Sequence, residues 1–132
     1  MTPATATRTC KWCPEEVTST NPDVDFCKWC FYSGRWAEEL HGKLIDELRD
    51  IPGIGNVGVD HTGGGCFALY IGLPGDAWMY ATEEHGFAVP DTEDGPWLLG
   101  HYRDEDDCDG EIVAEGVGRD ELIAHVREVA AR

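Results

Sequence analysis

The sequence contains no hydrophobic run long enough to cross a membrane, which takes about 20 apolar residues in succession. Its opening residues, MTPATATRT, lack the apolar core of a signal peptide. Basic side chains are scarce, since 10 Lys and Arg stand against 26 Asp and Glu and leave a net charge of −16. Together these absences predict a cytoplasmic protein that does not bind membranes.

The shortage of basic residues also bears on nucleic-acid binding, because affinity for a phosphate backbone comes largely from Lys and Arg. Residues 51–132 hold four basic and 17 acidic side chains, whereas residues 1–34 hold three basic and four acidic ones. We therefore expect the C-terminal part to repel nucleic acid and to suit a partner protein with a basic surface. Nucleic-acid contact remains an option for the N-terminal part alone.

Four of the six cysteines stand in two Cys-Lys-Trp-Cys motifs that are separated by 13 residues. Two residues between cysteines let one tight turn present both sulfurs on the same side, and zinc takes four thiolates at tetrahedral corners. The spacing predicts one structural Zn²⁺ ion held by Cys10, Cys13, Cys27 and Cys30. A site with four protein ligands has no open position for a substrate water, so we expect no catalysis there. Lys11 and Lys28 are expected to offset the charge of the thiolates.

Residues 10–30, with their duplicated motif, resemble the zinc ribbon and related four-cysteine modules. These modules occur in transcription, in translation and in many small bacterial and phage proteins, and the resemblance implies the metal and the local fold. In its composition of Gly, Asp, Ala, Val and Arg, the whole chain looks like small proteins of actinobacteria and their phages. The expected location is accordingly the cytoplasm of a bacterial cell or of a phage-infected host.

The rest of the sequence predicts an α+β fold. An apolar stripe with spacings of three and four residues predicts a helix over 33–50, with Ser33 as its N-cap. Short alternating runs predict a four- or five-stranded sheet from residues 57–61, 66–73, 77–82, 97–102 and 111–117. The short connections favour antiparallel neighbours, and a C-terminal helix over 120–130 is expected to cover the sheet. The predicted domains are a flexible N-terminus (1–9), a four-cysteine zinc ribbon (10–32) and an acidic α+β domain (33–132).

Three further stretches match known motifs only in part. Residues 53–58 (GIGNVG) have the glycine spacing of a dinucleotide site, but a helix is expected before them and a strand after them, which reverses the order that such a site needs. Residues 48–55 (LRDIPGIG) resemble the hairpin of helix-hairpin-helix DNA-binding motifs, but no second helix pattern follows. Residues 104–112 resemble part of a calcium loop, but Gly116 stands where a bidentate Glu belongs. We expect a helix end at the first site and an acidic hairpin tip at the last.

The predicted function is that of a non-catalytic, zinc-stabilised module that binds another protein through an acidic surface, for example as a phage-encoded inhibitor or adaptor. The candidate contact residues lie in the cysteine module and in three acidic loops: Lys11, Trp12, Lys28, Trp29, Glu83, Glu84, Asp91, Asp94, Asp104, Asp106 and Asp107.

Two alternatives stay open. A nucleic-acid-binding ribbon, in transcription or regulation, would add Arg8 and Arg35 to the basic and aromatic residues of the cysteine module. Trp12 and Trp29 would then stack on bases, whereas in a purely structural role they would shield the metal or pack on neighbouring aromatic rings. A hydrolase would use Cys66 or a histidine, but no Ser/His/Asp set, carboxylate pair or phosphate loop is identifiable, so no catalytic residue is predicted. Cys108 and the histidines His61, His85 and His101 receive no role.

Overall fold

The computed structural model describes residues 8–63, 66–86, 88–107 and 109–132. The chain divides into two compact units, Met1–Trp36 and Ala37–Arg132. The expected flexible segment at 1–9 falls mostly on residues 1–7, which, like Cys108, lie outside the described residues. Among the described residues, no helix is long and apolar enough to cross a membrane.

The helix predicted over 33–50 is in fact broken and begins earlier. The segment forms α1 (Lys28–Tyr32), α2 (Arg35–Leu40) and α3 (Gly42–Arg49). The first break lies at Gly34, whose φ of +80° is a conformation that side chains disfavour and that commonly ends helices. Ser33 is therefore the C-cap of α1 and not the predicted N-cap of a longer helix. Its hydroxyl donates a hydrogen bond to the Cys30 carbonyl at 3.2 Å.

The second unit contains a five-stranded antiparallel sheet, which confirms the predicted α+β fold. Its strands are β1 (Val57–Gly63), β2 (Cys66–Gly72), β3 (Trp78–Thr82), β4 (Trp97–Tyr102) and β5 (Glu111–Val117), paired in chain order. The C-terminal helix α4 (Arg119–Ala130) follows β5 directly. Short connections between neighbours in the chain give this meander, as the turn signals predicted.

One face of the sheet forms the core of this unit. Side chains of a strand alternate between the two faces, and Phe67, Leu69 and Ile71 are all buried on the same one. Helix α3 contacts β1, while α4 contacts α3, β4 and β5, so both helices lie on the core face. Each fully buried side chain of this size contributes about 1.5–3 kcal/mol relative to exposure. Apolar burial against the two helices therefore fixes which face of the sheet is covered.

The opposite face carries four half-buried aromatic residues, called here the aromatic cluster: Tyr70, Trp78, Tyr80 and Tyr102. The register of β3 against its two neighbouring strands brings these rings together, because Trp78 pairs with Tyr102 and Tyr80 pairs with Tyr70. The rings of Trp78 and Tyr102 are stacked, with centroids 4.0 Å apart and an interplanar angle of 8°. Tyr80 meets Trp78 edge-on at 4.7 Å. The open face is thus a continuous aromatic surface.

Candidate metal centre

The first cysteine pair lies in the turn of a small hairpin. An isolated β-bridge pairs Thr9 with Glu16, and Cys10 and Cys13 lie in the segment that this bridge closes. The backbone N–H of Trp12 donates a hydrogen bond to Sγ of Cys10 at 3.4 Å. Hydrogen bonds from backbone N–H groups favour a charged thiolate over a thiol, so this turn suits a metal ligand.

The second pair is presented by the beginning of a helix. Cys27 is the N-cap of α1, with an extended backbone at φ −79° and ψ 167°, and Cys30 lies one turn further along. Residues three apart on a helix share a face, so the two sulfurs lie on the same side. The duplicated motif therefore has two different backbone settings, a hairpin turn and a helix start. The expected ribbon fold stays a prediction.

The four sulfur atoms converge on one point. All lie within 4.8 Å of one another. The measured Sγ–Sγ separations are 3.7 Å for Cys10 and Cys30, 3.5 Å for Cys13 and Cys27, and 3.9 Å for Cys13 and Cys30. Thiolates bound tetrahedrally at about 2.3 Å from a metal stand roughly 3.8 Å apart, whereas disulfide sulfurs are about 2.05 Å apart. The cluster can therefore hold a metal ion such as zinc.

The pKa values of the Cys10 and Cys30 thiols are shifted in opposite directions by their surroundings. Burial would raise the pKa of Cys10, but hydrogen bonds from the backbone N–H groups of Trp12 and Cys27 outweigh it and lower this pKa to about 6. Burial and the neighbouring thiols raise the pKa of Cys30 to about 12. Four thiols at these separations cannot all ionise together, because each thiolate disfavours the next. A cation between them removes that repulsion.

The metal-binding segment has very little other core. Besides Cys10, Cys27 and Cys30, Val17 completes the buried cluster of this unit. Arg8 supports the loop between the pairs, since its guanidinium donates hydrogen bonds to backbone carbonyls that include those of Val24, at 2.7 Å, and Ser19. The stability of this first unit therefore depends on these hydrogen bonds and on the interactions of the four cysteine sulfurs.

The two tryptophans of the duplicated motif differ in exposure. Trp12 is half-buried and stacks on Phe26, with ring centroids 5.3 Å apart. The guanidinium carbon of Arg35 lies over the Trp12 ring, 5.6 Å from its centroid. Trp29 is 61% exposed, and the ammonium of Lys28 lies 5.1 Å from its ring centroid. Trp12 thus packs as the structural interpretation predicted, whereas Trp29 presents its ring at the surface.

The basic residues of this unit are largely engaged within it. Lys11 forms an ion pair with Asp25 at 3.0 Å, and Arg8 is bound to loop carbonyls as described above. The guanidinium of Arg35 donates a hydrogen bond to the Trp12 carbonyl at 3.3 Å. These contacts reduce the cationic surface that a nucleic acid would meet.

The acidic residues between β3 and β4 differ in exposure and in hydrogen bonding. Glu84, Asp91 and Asp94 are exposed, and Glu83 accepts a hydrogen bond from the backbone N–H of His85 at 2.8 Å. These four carboxylates belong to the connection between β3 and β4. They form one of the acidic surfaces that the sequence singled out.

The acidic residues 104–107 and 109 lie at the tip of the β4–β5 hairpin. Asp104 accepts a hydrogen bond from the backbone N–H of Asp106, and Asp107 accepts bonds from the N–H groups of Arg103 and Gly110. The last two bonds lower the pKa of Asp107 to about 2. Turn geometry, not a calcium loop, accounts for these carboxylates, as expected for a hairpin tip. Helix α3 ends at Arg49 and strand β1 begins at Val57, and Gly53, with a φ of +88°, lies in the turn between them. The dinucleotide-like motif therefore follows a helix and leads into a strand, which is the reversed order that was predicted.

No second metal cluster accompanies the cysteines in the part of the chain that the structure describes. Cys66 begins β2, while His61 and His101 lie on β1 and β4 and His85 lies in an exposed turn. They do not come together into a ligand set. The aromatic cluster was not predicted from the sequence, where its signal is limited to the alternation of Trp78 with Tyr80.

Comparison of the chain with protein-family models, with curated proteins and with solved structures gives no match. The resemblance to four-cysteine modules therefore rests on residues 10–30 and on the geometry of their sulfurs. Function has to be inferred from the chemistry of the chain itself.

Proposed function

We propose that this chain is a zinc-stabilised, non-catalytic module whose acidic unit binds a basic surface of another protein, as an inhibitor or adaptor does. The observation that carries the proposal is the separation of charge between the two units. Residues 37–132 hold 22 acidic and six basic side chains, whereas residues 1–36 hold four of each. The whole net charge of −16 thus resides in the second unit, whereas the cysteine cluster lies in the first.

Zinc is the metal that the donor set favours. Four closely spaced thiolates are soft ligands, and closed tetrahedral sites of four cysteines are typical of structural zinc. The cysteines themselves make up most of the buried cluster of their unit, so the free energy of metal binding would be folding free energy there. All four positions are taken by protein, which supports a structural role without catalysis.

Charge complementarity explains what the acidic unit would do. A strongly negative surface accelerates encounter with a positive partner and rejects phosphate backbones. The exposed carboxylates of Glu84, Asp91 and Asp94 are available for such an encounter. Exposed charges are screened over about 10 Å at 0.1 M salt, so binding through them should weaken as the salt concentration rises.

Nucleic-acid binding through the cysteine module is the second candidate, and one observation favours it. Trp29 is 61% exposed beside Lys28, which is an arrangement that can stack on a base. Lys11 and Arg8, however, are engaged by Asp25 and by backbone carbonyls. A gel shift of single-stranded DNA by the full chain at low salt, abolished by Trp29→Ala, would favour this candidate over protein binding.

The proposed function is tested by affinity capture with the full, metal-loaded chain from lysate of the cells that express it. A matched triple variant, Glu84→Gln with Asp91→Asn and Asp94→Asn, serves as the comparison. We expect retention of a basic protein that is lost between low and high salt and is weakened in the triple variant. Retention that is insensitive both to salt and to this variant would contradict the proposal.

A further inference from the structure

The open face of the sheet has grooves on both sides of the aromatic cluster. The larger one, of about 540 Å³, is lined by Tyr70, Trp78 and Tyr80. The smaller one, of about 100 Å³, is lined by Tyr80, Tyr102 and Ile112. Tyr80 borders both, so the two grooves adjoin at this residue and together extend across the sheet from β2 to β5; they are called here the track.

Every charged residue that lines the two grooves is acidic. Asp76 and Glu105 lie in the wall of the larger groove, and Asp109 and Glu111 lie in the wall of the smaller one. All four are exposed. Within the described residues, neither lining includes a Lys or Arg. The track therefore combines aromatic rings with carboxylates, which is a setting that attracts cations.

The aromatic rings offer mainly their π surfaces to a ligand. The phenol of Tyr80 donates its hydrogen bond to Asp60, and the indole N–H of Trp78 donates to the Asp104 carbonyl at 3.0 Å. Because these polar atoms are already bonded inside the protein, recognition would depend on ring faces and edges. A cation over an aromatic ring is attracted by the ring quadrupole, most strongly for Trp.

We infer that this face binds an extended, arginine-bearing segment of the partner protein. A guanidinium is planar, stacks on aromatic rings and forms paired hydrogen bonds with carboxylates, so it matches both components of the track. Three strand spacings of about 4.8 Å separate β2 from β5, and about four extended residues cover that distance. The inference rests on the proposed function and names a further surface of the acidic unit that would take part in it.

The test uses isothermal titration calorimetry of the full chain with a defined peptide, acetyl-Gly-Arg-Gly-Arg-Gly-amide, at low salt. The control peptide replaces both arginines with citrulline, which keeps the shape and removes the charge. We expect measurable binding of the arginine peptide and none of the citrulline peptide. Equal binding of the two peptides would overturn the inference, as would preferential binding of a neutral oligosaccharide to this face.

Two matched double variants locate the binding surface. Asp76→Asn with Glu105→Gln removes two carboxylates from the larger groove. The control, Asp50→Asn with Glu121→Gln, removes the same charge from exposed positions at the end of α3 and on α4, outside both grooves. Since each exposed ion pair contributes modestly, we expect the groove variant to bind the arginine peptide about fivefold more weakly and the control variant less than about twofold. Circular dichroism confirms that both remain folded.

The results separate this inference from the proposed function. Equal weakening by both double variants, or weakening by the control variant alone, overturns the groove while leaving an acidic binding surface in place. Failure of the unaltered chain to bind the arginine peptide at low salt, while it still captures a basic protein, also overturns the groove alone. Failure of both peptide binding and capture overturns both.

Discussion

Tyr80 on β3 donates a hydrogen bond from its phenol to the carboxylate of Asp60 on β1, across the intervening strand β2. The β2 residue that pairs with Asp60 is Ala68, and its single methyl group leaves space for the two longer side chains to meet. Burial, followed by the hydrogen bond and the negative charge of Asp60, raises the pKa of Tyr80 above its usual value. The bond therefore joins three strands of the open face and keeps the phenol neutral.

Replacing Tyr80 with Phe should lower the free energy of unfolding by about 1–2 kcal/mol, because the half-buried Asp60 carboxylate loses its donor. Urea unfolding at pH 7 measures the change. Tyr32→Phe is the matched control, since Tyr32 is 59% exposed, and it should change stability by less than about 0.5 kcal/mol. Equal effects of the two variants would show that the bond with Asp60 contributes nothing.

The same pair predicts a loss of stability at high pH. A group whose pKa is raised by folding stabilises the folded state fully below its unfolded pKa, which is about 10 for Tyr, and that contribution is lost as the pH rises further. The difference in stability between the original chain and Tyr80→Phe should therefore shrink above about pH 10. Urea unfolding between pH 8 and pH 11 measures it, and a constant difference would contradict the assignment.

Local patterns were enough to predict most of the elements. The bounds of β4 and β5 agree with the sequence prediction, because alternation and turn residues mark both ends of each strand. The cysteine cluster was predictable for the same reason, since the spacing within each pair fixes how its two sulfurs are presented. In both cases the information lies within a few consecutive residues.

The features that were missed depend on contacts between distant residues. The aromatic cluster needs the register that places Trp78 opposite Tyr102, and periodicity within one strand contains no register. The break between α2 and α3 at His41 was missed because the apolar stripe from Trp36 to Leu48 runs across it. The exposure of Trp29 and the packing of Trp12 follow from different backbone settings that two identical tetrapeptides cannot reveal.

Arg119 should contribute strongly to the stability of its unit, because its ion pairs link α4 to other parts of the unit. Its guanidinium forms ion pairs with Glu47 on α3 and with Glu93, and hydrogen bonds with these two carboxylates raise the pKa of Arg119. Arg119→Met leaves two carboxylates facing each other without a cation, so we expect a loss of about 1–3 kcal/mol in urea unfolding. Arg127→Met, at an exposed position on the same helix, should cost less than about 0.5 kcal/mol. A similar loss in both variants would argue against the network.

His41 should make the fold sensitive to mild acid. Its Nε2–H donates to the Pro90 carbonyl at 2.9 Å, its Nδ1 is buried without a hydrogen-bond partner in the described chain, and burial lowers its pKa. Below about pH 6.5 the unfolded chain takes up a proton that folded His41 resists, so stability falls as the pH drops. Unfolding from pH 7 to pH 5 should show this slope in the original chain and in His85→Asn, which alters an exposed histidine. His41→Leu should flatten it, and an unchanged slope would show that His41 is not the source.

Metal content decides the role of the four cysteines. We expect one zinc ion per chain by elemental analysis of freshly purified protein, because the sulfur separations of 3.5–3.9 Å fit four thiolates around one ion. Cys27→Ser should lose the metal and, since the cysteines form most of the buried cluster of residues 8–36, unfold that segment. Cys66→Ser, which alters a free cysteine outside the cluster, should keep the full metal content. Amide exchange by mass spectrometry should therefore show residues 8–36 losing protection in Cys27→Ser alone, and intact protection without metal would mean that the segment folds by another means.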